Sequence, residues 1–459
     1  MRTARGDVLA LALSSVTLIG CVQGDDDTVG GLPDDMVSLT VRIENRAPWT
    51  MLKSGVQQTK LDGTEGALAS GESYRVTLTA GVGQAINFVT KLGESNDWVF
   101  SPGPEGIPLY DERGAAISGD VTSYVGLWDI GTEIDQEPGV GDATGLRQSA
   151  ANIGANDPVP RARLLDTTIR LGDGTTFVRP PIAEMIGVTL TPGADRAVTL
   201  TITNRSAATT LVTSQGPKPI HLSAVAWSLH TAPAPLFSRA VRDRRDGLEQ
   251  LAEDGVVDRL AETMQALTGT ATPISPGIWL LHQAGRPLFI PGFRELGHGL
   301  ERVAEDGDPS SLYHLLAHDP GGRLTPVGVF DMPIDAPQPQ LAMPGQTYEI
   351  NLAARPGDSL SFATMFVMSN DWFFATPPEG ITLFDRADQL REGDLTDHIA
   401  LYDAGTELDQ ELAVGPDTGP QQTGEDIGPN DSLRIVREVI PARYQPASAD
   451  HLKVTITRR

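Results

Sequence analysis

The sequence predicts an all-β protein of two antiparallel β-sandwich domains, the second with a partly helical insertion, on the basis of three observations. Apolar and polar residues alternate in segments 74–78, 348–352 and 454–456, which is typical of strands with one face on a core. Glycine and proline account for 48 and 34 of the 459 residues, which favours turn-rich sheets over helical bundles. Most of the chain also repeats once, so two copies of one domain are expected. A pair of β-barrels fits the same alternation and is the alternative architecture.

Composition and charge limit the classes of function. The chain has 35 Lys and Arg against 60 Asp and Glu, a formal net charge of −25. Nucleic acid is therefore not an expected partner, because phosphate binding needs a basic surface. The negative charge favours solubility and the binding of cations. The single cysteine excludes an intramolecular disulfide and any zinc or iron–sulfur site built from cysteines.

The N-terminus predicts export. Two arginines precede an apolar stretch at 8–20, which is too short to span a bilayer and is typical of a signal-peptide core. The stretch ends in Leu-Ile-Gly before Cys21, which resembles the lipobox of bacterial lipoproteins. The resemblance implies a signal peptide at 1–20, a lipidated Cys21 and an acidic tether at 21–36, with the lipid as the only membrane contact. We expect an anchor in the bacterial cell envelope, favour the outer membrane and leave surface exposure open; an incidental cysteine in an ordinary signal peptide is the alternative.

The duplication is recognised by one constant displacement. Ser-Asn-Asp-Trp at 95–98 recurs at 369–372. The acidic and turn residues that follow keep the same displacement as far as Asn-Asp at 156–157 and 430–431. A gap-free match of this length indicates two copies of one domain.

The ends of the copies match in shifted registers, and this sets the domain boundaries. The sequence predicts a first domain at 37–192, a linker at 193–195 and a second domain at 196–459. The second domain then holds an insertion at about 206–335, which contains a smaller repeat of its own. Apolar residues in the insertion follow a helical period, so short helices are expected there.

Each copy has a cluster of carboxylates that begins with an aspartate before a tryptophan. The residues are Asp97, Asp129, Glu133, Asp135 and Glu137 in the first copy, and Asp371, Asp403, Glu407, Asp409 and Glu411 in the second. Gly131 and Gly405 lie within the acidic turns and indicate a tight backbone. Carboxylates that converge at one end of a sandwich repel one another unless a cation lies between them, and Ca²⁺ takes six to eight oxygen ligands in irregular loops. The spacing differs from that of an EF-hand, and solvated acidic loops are the alternative interpretation.

These motifs in combination resemble a known family. Ser-Asn-Asp-Trp followed by Trp-Asp-Ile-Gly-Thr-Glu at 128–133, or Tyr-Asp-Ala-Gly-Thr-Glu at 402–407, is similar to the spondin domain, the N-terminal module of F-spondin, as it occurs in bacterial secreted proteins. The resemblance implies a C2-like β-sandwich with a calcium ion at one edge of each copy. The implied ligands are Asp97, Asp129 and Glu133 in the first copy, and Asp371, Asp403 and Glu407 in the second. The family pattern has Asp in place of Glu133 and Glu407, and the first copy lacks the family's front segment, which implies a trimmed domain.

The sequence contains no recognisable enzyme motif. It has no Gly-x-Ser-x-Gly elbow, His-Glu-x-x-His zinc helix or phosphate-binding glycine loop. His230 and His282, at equivalent places of the smaller repeat, are expected to pack structurally. We therefore predict an adhesion or ligand-binding module without catalytic residues, whose partner is a protein or glycan. The alternative is a carbohydrate-active hydrolase with an Asp/Glu pair, which needs carboxyl groups about 5–9 Å apart.

Overall fold

The structure is a computed structural model, and it describes residues 35–459 apart from 146, 233, 284–286, 296, 298, 319–325 and 441–447. The predicted signal peptide at 1–20, Cys21 and nearly all of the tether at 21–36 lie outside the described residues. The chain is mostly β, with several antiparallel sheets, so the predicted all-β class is confirmed. In the described part of the chain, no helix is long and apolar enough to cross a membrane.

The elements are numbered in chain order. The first strands are β1 (Val37–Asn45), β2 (Lys53–Gln57), β3 (Ser73–Thr79), β4 (Ala85–Lys91), β5 (Trp98–Ser101), β6 (Ile107–Pro108), β7 (Gly119–Asp120), β8 (Gly126–Asp129), β9 (Arg163–Leu164), β10 (Thr168–Arg170), β11 (Thr176–Val178), β12 (Ile186–Pro192) and β13 (Ala197–Asn204). The remaining strands are β14 (Leu211–Thr213), β15 (Gly216–Lys218), β16 (Val225–His230), β17 (Ile274–His282), β18 (Val327–Phe330), β19 (Thr347–Ala354), β20 (Ser359–Phe366), β21 (Trp372–Ala375), β22 (Ile381–Thr382), β23 (Gly393–Asp394), β24 (Ala400–Asp403), β25 (Arg437–Glu438) and β26 (Leu452–Arg458). The helices are α1 (Ile182–Met185), α2 (Leu248–Asp254), α3 (Asp258–Ala266), α4 (Leu300–Glu305), α5 (Ser310–Ala317) and α6 (Ser448–His451), with single 3₁₀ turns at Thr122–Tyr124 and Thr396–His398.

Strand β3 illustrates why these segments form strands. Its side chains alternate, with Tyr74, Val76 and Leu78 buried and the residues between them exposed. Successive side chains of a strand point to opposite faces, so the apolar set lies on one face and packs on a second sheet.

Two sandwiches are built to the same plan. The first places the four-stranded sheet β3-β13-β12-β7 against a seven-stranded sheet, β2-β16-β4-β5-β8-β9 with β6 beside β4. The second places β19-β1-β26-β23 against β18-β17-β20-β21-β24-β25 with β22 beside β20. Each strand of one sandwich has a counterpart in the other, and one apolar core lies between the sheets of each pair.

The pairing of two strands corrects the predicted domain boundaries. Strand β1, assigned to the domain at 37–192, pairs with β19 and β26 of the second sandwich. Strand β13, assigned to the domain at 196–459, pairs with β3 and β12 of the first. The predicted linker at 193–195 is the turn that joins β12 to β13 within one sheet, as consecutive antiparallel strands usually pair. The two strands resemble each other closely, so similarity alone could not assign them.

The helical segment is likewise divided between the sandwiches, and it is not an insertion of the second copy. Helices α2 and α3 pack on the outer face of the first seven-stranded sheet, and α4 and α5 pack on the second. Each smaller repeat adds one strand and two helices, so the first sandwich is complete. The expectation of a trimmed first domain and of an insertion at about 206–335 was therefore wrong.

Candidate metal sites

In each sandwich, the acidic edge lies where two neighbouring strands meet. Asp97 comes directly before β5 and Asp129 ends β8, and Trp98 lies opposite Asp129 in the ladder between these strands. The second sandwich repeats this arrangement, with Trp372 opposite Asp403. An antiparallel pair brings the start of one strand beside the end of the other, so both aspartates reach the same end of the sheet.

The turn after each strand requires its glycine. Gly131 has φ 73° and Gly405 has φ 67°, in the left-handed region that glycine adopts without strain. A Cβ on Gly131 would lie 2.6 Å from the backbone oxygen of Arg161. The tight turn also lets the amide of Gly131 donate to Asp129 Oδ1 at 2.5 Å, as the amide of Gly405 does to Asp403.

Three buried carboxylates meet at the edge of the first sandwich. One oxygen from each of Asp97, Asp129 and Asp135 lies within 4.8 Å of the other two. Glu133, the third implied ligand, is not part of this group. Its carboxylate accepts hydrogen bonds from the amide of Gly154 at 2.7 Å and from Asn96 Nδ2 at 3.1 Å. The structure therefore brings Asp97 and Asp129 together and places Asp135, not Glu133, beside them.

The second sandwich has a more open version of this edge. Asp371 and Asp403 occupy the matching places. Glu407 Oε1 accepts a hydrogen bond from the amide of Gly428 at 2.7 Å, while Glu407 Oε2 is buried and has no hydrogen-bond partner among the described residues. Asp409, the counterpart of Asp135, has a side chain that is 50% exposed, against 6% for Asp135. Within the described ranges, the second edge has no carboxylate triple as tight as that of the first.

One oxygen of the leading aspartate lacks a partner in both edges. Asp97 Oδ2 accepts hydrogen bonds from the amides of Thr132 and Glu133, at 2.7 and 3.0 Å. Asp97 Oδ1 is buried and has no hydrogen-bond partner among the described residues, and the same is true of Asp371 Oδ1. Buried polar atoms are nearly always satisfied, so the recurrence of this orphaned atom in two copies points to a missing ligand.

An arginine offsets part of the charge of each edge. Arg163 forms ion pairs with Asp129, with Asp135 at 3.2 Å and with Asp157 at 2.9 Å. Arg437 does the same in the second sandwich, with Asp403 at 2.5 Å, Asp409 at 3.6 Å and Asp431 at 2.7 Å. The sequence analysis missed both arginines, although they obey the constant displacement of the repeat.

Even with the arginine present, burial disfavours the ionised form of the carboxylates at each edge. Burial raises the pKa of Asp97, and burial together with the charges of Asp97 and Asp135 raises the pKa of Asp129. Burial and neighbouring carboxylates raise the pKa of Asp371 and Asp403 in the same way. A raised pKa means that the fold disfavours the charged form, and a cation between the oxygens would remove that cost.

A buried lysine distinguishes the first edge from the second. Lys91 Nζ donates to the backbone oxygens of Ser95, Asn96 and Ala252 at 2.6 to 2.7 Å. Burial lowers the pKa of Lys91 to about 8, while the charges of Asp97 and Glu133 act against this decrease. The counterpart of Lys91 in the second sandwich is Met365, which carries no charge.

The remaining residues singled out from the sequence have structural contacts. Trp98 and Trp372 lie in the cores, and their indole N–H groups donate to Asp135 and Asp409. His230 Nδ1 lies 2.6 Å from the backbone oxygen of Ala232, and His282 Nε2 lies 2.8 Å from Ser361 Oγ. Both histidines are buried.

The donor set fits a hard cation. All candidate ligand atoms are carboxylate oxygens, the ligands that Ca²⁺ prefers, and the orphaned atoms Asp97 Oδ1 and Asp371 Oδ1 are available to it. A groove of about 370 Å³, lined by Asp135, Glu137, Asp142 and Asp173 among others, borders the first edge. Comparison with protein-family models and with curated proteins gives no match.

Proposed function

We propose that the protein is a calcium-binding, non-catalytic adhesion or ligand-binding module of spondin type, anchored to the bacterial cell envelope through a lipid on Cys21. The observation that carries the calcium assignment is the pair of orphaned oxygens, Asp97 Oδ1 and Asp371 Oδ1, each beside a second buried aspartate. A buried carboxylate oxygen without a partner costs stability, and a calcium ion supplies the missing contact. The proposed ligands are Asp97, Asp129 and Asp135 in the first sandwich, with Asp371 and Asp403 in the second.

The burial of the carboxylates supports a role without catalysis. A glycosidase needs one carboxyl group to protonate the leaving oxygen and another to face the sugar ring. Asp97 and Asp129 have no exposed surface, and backbone amides and Arg163 hold them in place. This arrangement suits an ion that stiffens the acidic loops, which would present the surface that the protein or glycan partner recognises.

Calcium titration of the full chain tests the proposal. We expect the double variant Asp97→Asn and Asp371→Asn to bind two calcium ions fewer than the wild type. The amide preserves the acceptor for Thr132 and removes the buried charge, so the variant should be no less stable in chelator. Asp142→Asn is the matched control, because its carboxylate lies in the same acidic loop with a side chain 98% exposed. Equal binding by the wild type and the double variant would refute the calcium assignment.

The binding role needs a second experiment. We expect the full chain to be retained on an array of immobilised polysaccharides and envelope proteins in calcium, and to be released by chelator. Turnover of reporter glycosides that disappears in Asp129→Asn, while the melting temperature stays unchanged, would favour the hydrolase instead.

Fractionation of cells that express Cys21→Ala tests the anchor, and we expect this variant to leave the membrane fraction.

A further inference from the structure

We infer that the second sandwich has an additional calcium site, formed by Glu301, Glu305 and Asp426, which the first sandwich lacks. The site lies between helix α4 and the loop before β25, and Glu305 borders the second edge, where it forms a side-chain hydrogen bond with Thr406. It does not depend on the proposed function, because none of its residues belongs to the ligand sets assigned above.

The geometry suits a single ion. Glu301 and Glu305 are four positions apart on α4, so they lie on the same face of the helix. One carboxylate oxygen from each of Glu301, Glu305 and Asp426 lies within 4.8 Å of the other two. Calcium–oxygen distances are about 2.4 Å, so oxygens on opposite sides of one ion are separated by about this span.

The buried member of the group has a free acceptor. Glu305 is 2% exposed, and its Oε1 has no hydrogen-bond partner in the described part of the chain. An interior carboxylate oxygen is rarely left in this state. Its position beside two further carboxylates indicates that a cation is the missing partner.

The surrounding charges leave the cluster negative. Arg302, on the same helix, forms ion pairs with Asp308 at 2.9 Å and Glu425 at 3.0 Å. Arg434 acts on Glu301 through its charge and donates a hydrogen bond to Asn430. The carboxylates of Glu407 and Asp371 also act on Glu305 through their charge. The surplus of negative charge suits a divalent ion, with water completing the coordination at the exposed Asp426.

The first sandwich provides an internal comparison. Asn152 occupies the place of Asp426, and the two residues share a left-handed backbone, with φ 52° and φ 50°. The first sandwich keeps the glutamate pair on α2, as Glu249 and Glu253. It therefore lacks the third charge, and Asp426→Asn recreates its arrangement in a backbone that asparagine tolerates.

The test is a calcium titration of the full chain by calorimetry. We expect Asp426→Asn to bind one calcium ion fewer than the wild type, or to bind it at least about tenfold more weakly. Glu425→Gln is the matched control, since it removes the same charge one residue away and should leave the number of bound ions unchanged.

The same titration in the Asp97→Asn and Asp371→Asn background separates this site from the paired edges. We expect one calcium ion to remain bound there and to be lost when Asp426→Asn is added. Unchanged stoichiometry and affinity in Asp426→Asn would overturn the additional site and leave the paired edges untouched. Loss of all calcium in the double variant alone would also overturn it.

Discussion

The two sandwiches share one plan but balance their acidic edges differently. A Cβ on Gly145 would lie 2.8 Å from Lys91 Cε, and one on Gly419 would lie 3.2 Å from Met365 Cε, so the two side chains occupy equivalent places. The first edge thus contains a cation of its own, and the second has a neutral thioether. The difference shows that the same arrangement of carboxylates accepts either a buried cation or a neutral side chain at this place.

The acidic loops also differ in what holds them. In the first sandwich, Glu137 accepts hydrogen bonds from the amide and hydroxyl of Ser214, in the β14–β15 hairpin of the same sandwich. In the second, Glu411 accepts from Lys53 and Thr79, which belong to the first sandwich. The acidic loop of the second sandwich therefore contacts the first sandwich, and an ion that orders this loop would also order that contact. The acidic loop of the first sandwich contacts the hairpin named above through its glutamate.

The largest expected effect follows from removing the arginine of each edge. Arg163 faces Asp129 and Asp135, both buried, whereas Arg437 faces the half-exposed Asp409 besides Asp403. Leaving a buried charge without its partner costs about 3–5 kcal/mol, so Arg163→Met in chelator should lower the free energy of unfolding by about 3 kcal/mol. Arg437→Met should cost less. Urea unfolding of both variants measures this, and equal losses would show that exposure of the carboxylates does not set the cost.

Another pair of equivalent positions, occupied by a histidine in the second sandwich and a methionine in the first, is expected to make stability depend on pH. His451 is buried among Trp49, Phe366 and Phe374, and neither ring nitrogen has a hydrogen-bond partner within the described segments. Burial lowers the pKa of His451 to about 4. Its counterpart in the first sandwich is the buried Met185.

Because the unfolded chain has a histidine pKa of about 6.5, the stability that neutral His451 contributes is fully present above pH 6.5. It is lost as the pH falls towards 4. At pH 5 the loss amounts to about 2 kcal/mol, and we expect His451→Met to remove it. The test compares unfolding free energies of wild type and variant between pH 7 and pH 5. A difference that does not grow over this range would contradict the assignment.

Exchange of the internal cation should alter calcium affinity in opposite directions. Lys91→Met removes a positive charge beside Asp97 and should tighten calcium binding at the first edge. Met365→Lys should weaken it at the second edge. We expect each substitution to change the calcium dissociation constant about tenfold, or about 1.4 kcal/mol, because a buried charge close to the ion is poorly screened. Calorimetric titration measures both constants, and the comparison fails if neither constant changes.

The smallest effect is expected at the loop contacts. Lys53 and Glu411 are partly exposed, with 30% and 45% of their side-chain surface accessible, and such pairs contribute about 0.5 kcal/mol. Glu411→Gln should therefore lower stability slightly and increase hydrogen exchange at the amides of β2 and β3. Glu137→Gln is the control, and its increase in exchange should be confined to the β14–β15 hairpin. If both variants increased exchange at the same amides, Glu411 would not link the two sandwiches in the way described.

The sequence predicted the parts of the molecule that depend on local pattern. Alternation predicted strands at 74–78, 348–352 and 454–456, which lie in β3, β19 and β26. The repeat marked a cluster of carboxylates in each copy, and the resemblance to the spondin domain implied that Asp97 and Asp129 lie together. The sequence could not assign β1 and β13 to their sheets, because the two strands are similar and each could pair with the strands of either sandwich. The choice of Asp135 over Glu133 depends on hydrogen bonds from Gly154 and Asn96 across the turn, which have no local signal.

The two copies also differ at positions that bear on the charge of the acidic clusters. Lys91 against Met365 and Asn152 against Asp426 are mismatches within a well-matched repeat. A substitution of a buried or clustered charge between two copies changes the electrostatics of an otherwise conserved arrangement. Both mismatches are visible in the sequence alone, at positions related by the displacement of the repeat.

The most direct test of the central claim, that the acidic edges are completed by calcium, is the melting temperature of the full chain in calcium and then in chelator. Calcium at a hundred times its dissociation constant adds about 2.7 kcal/mol per site, or roughly 5–10 °C for a sandwich of about 200 residues. We predict a fall of this size on chelation, reversed by calcium better than by magnesium. Melting that is the same in calcium, magnesium and chelator would contradict the account.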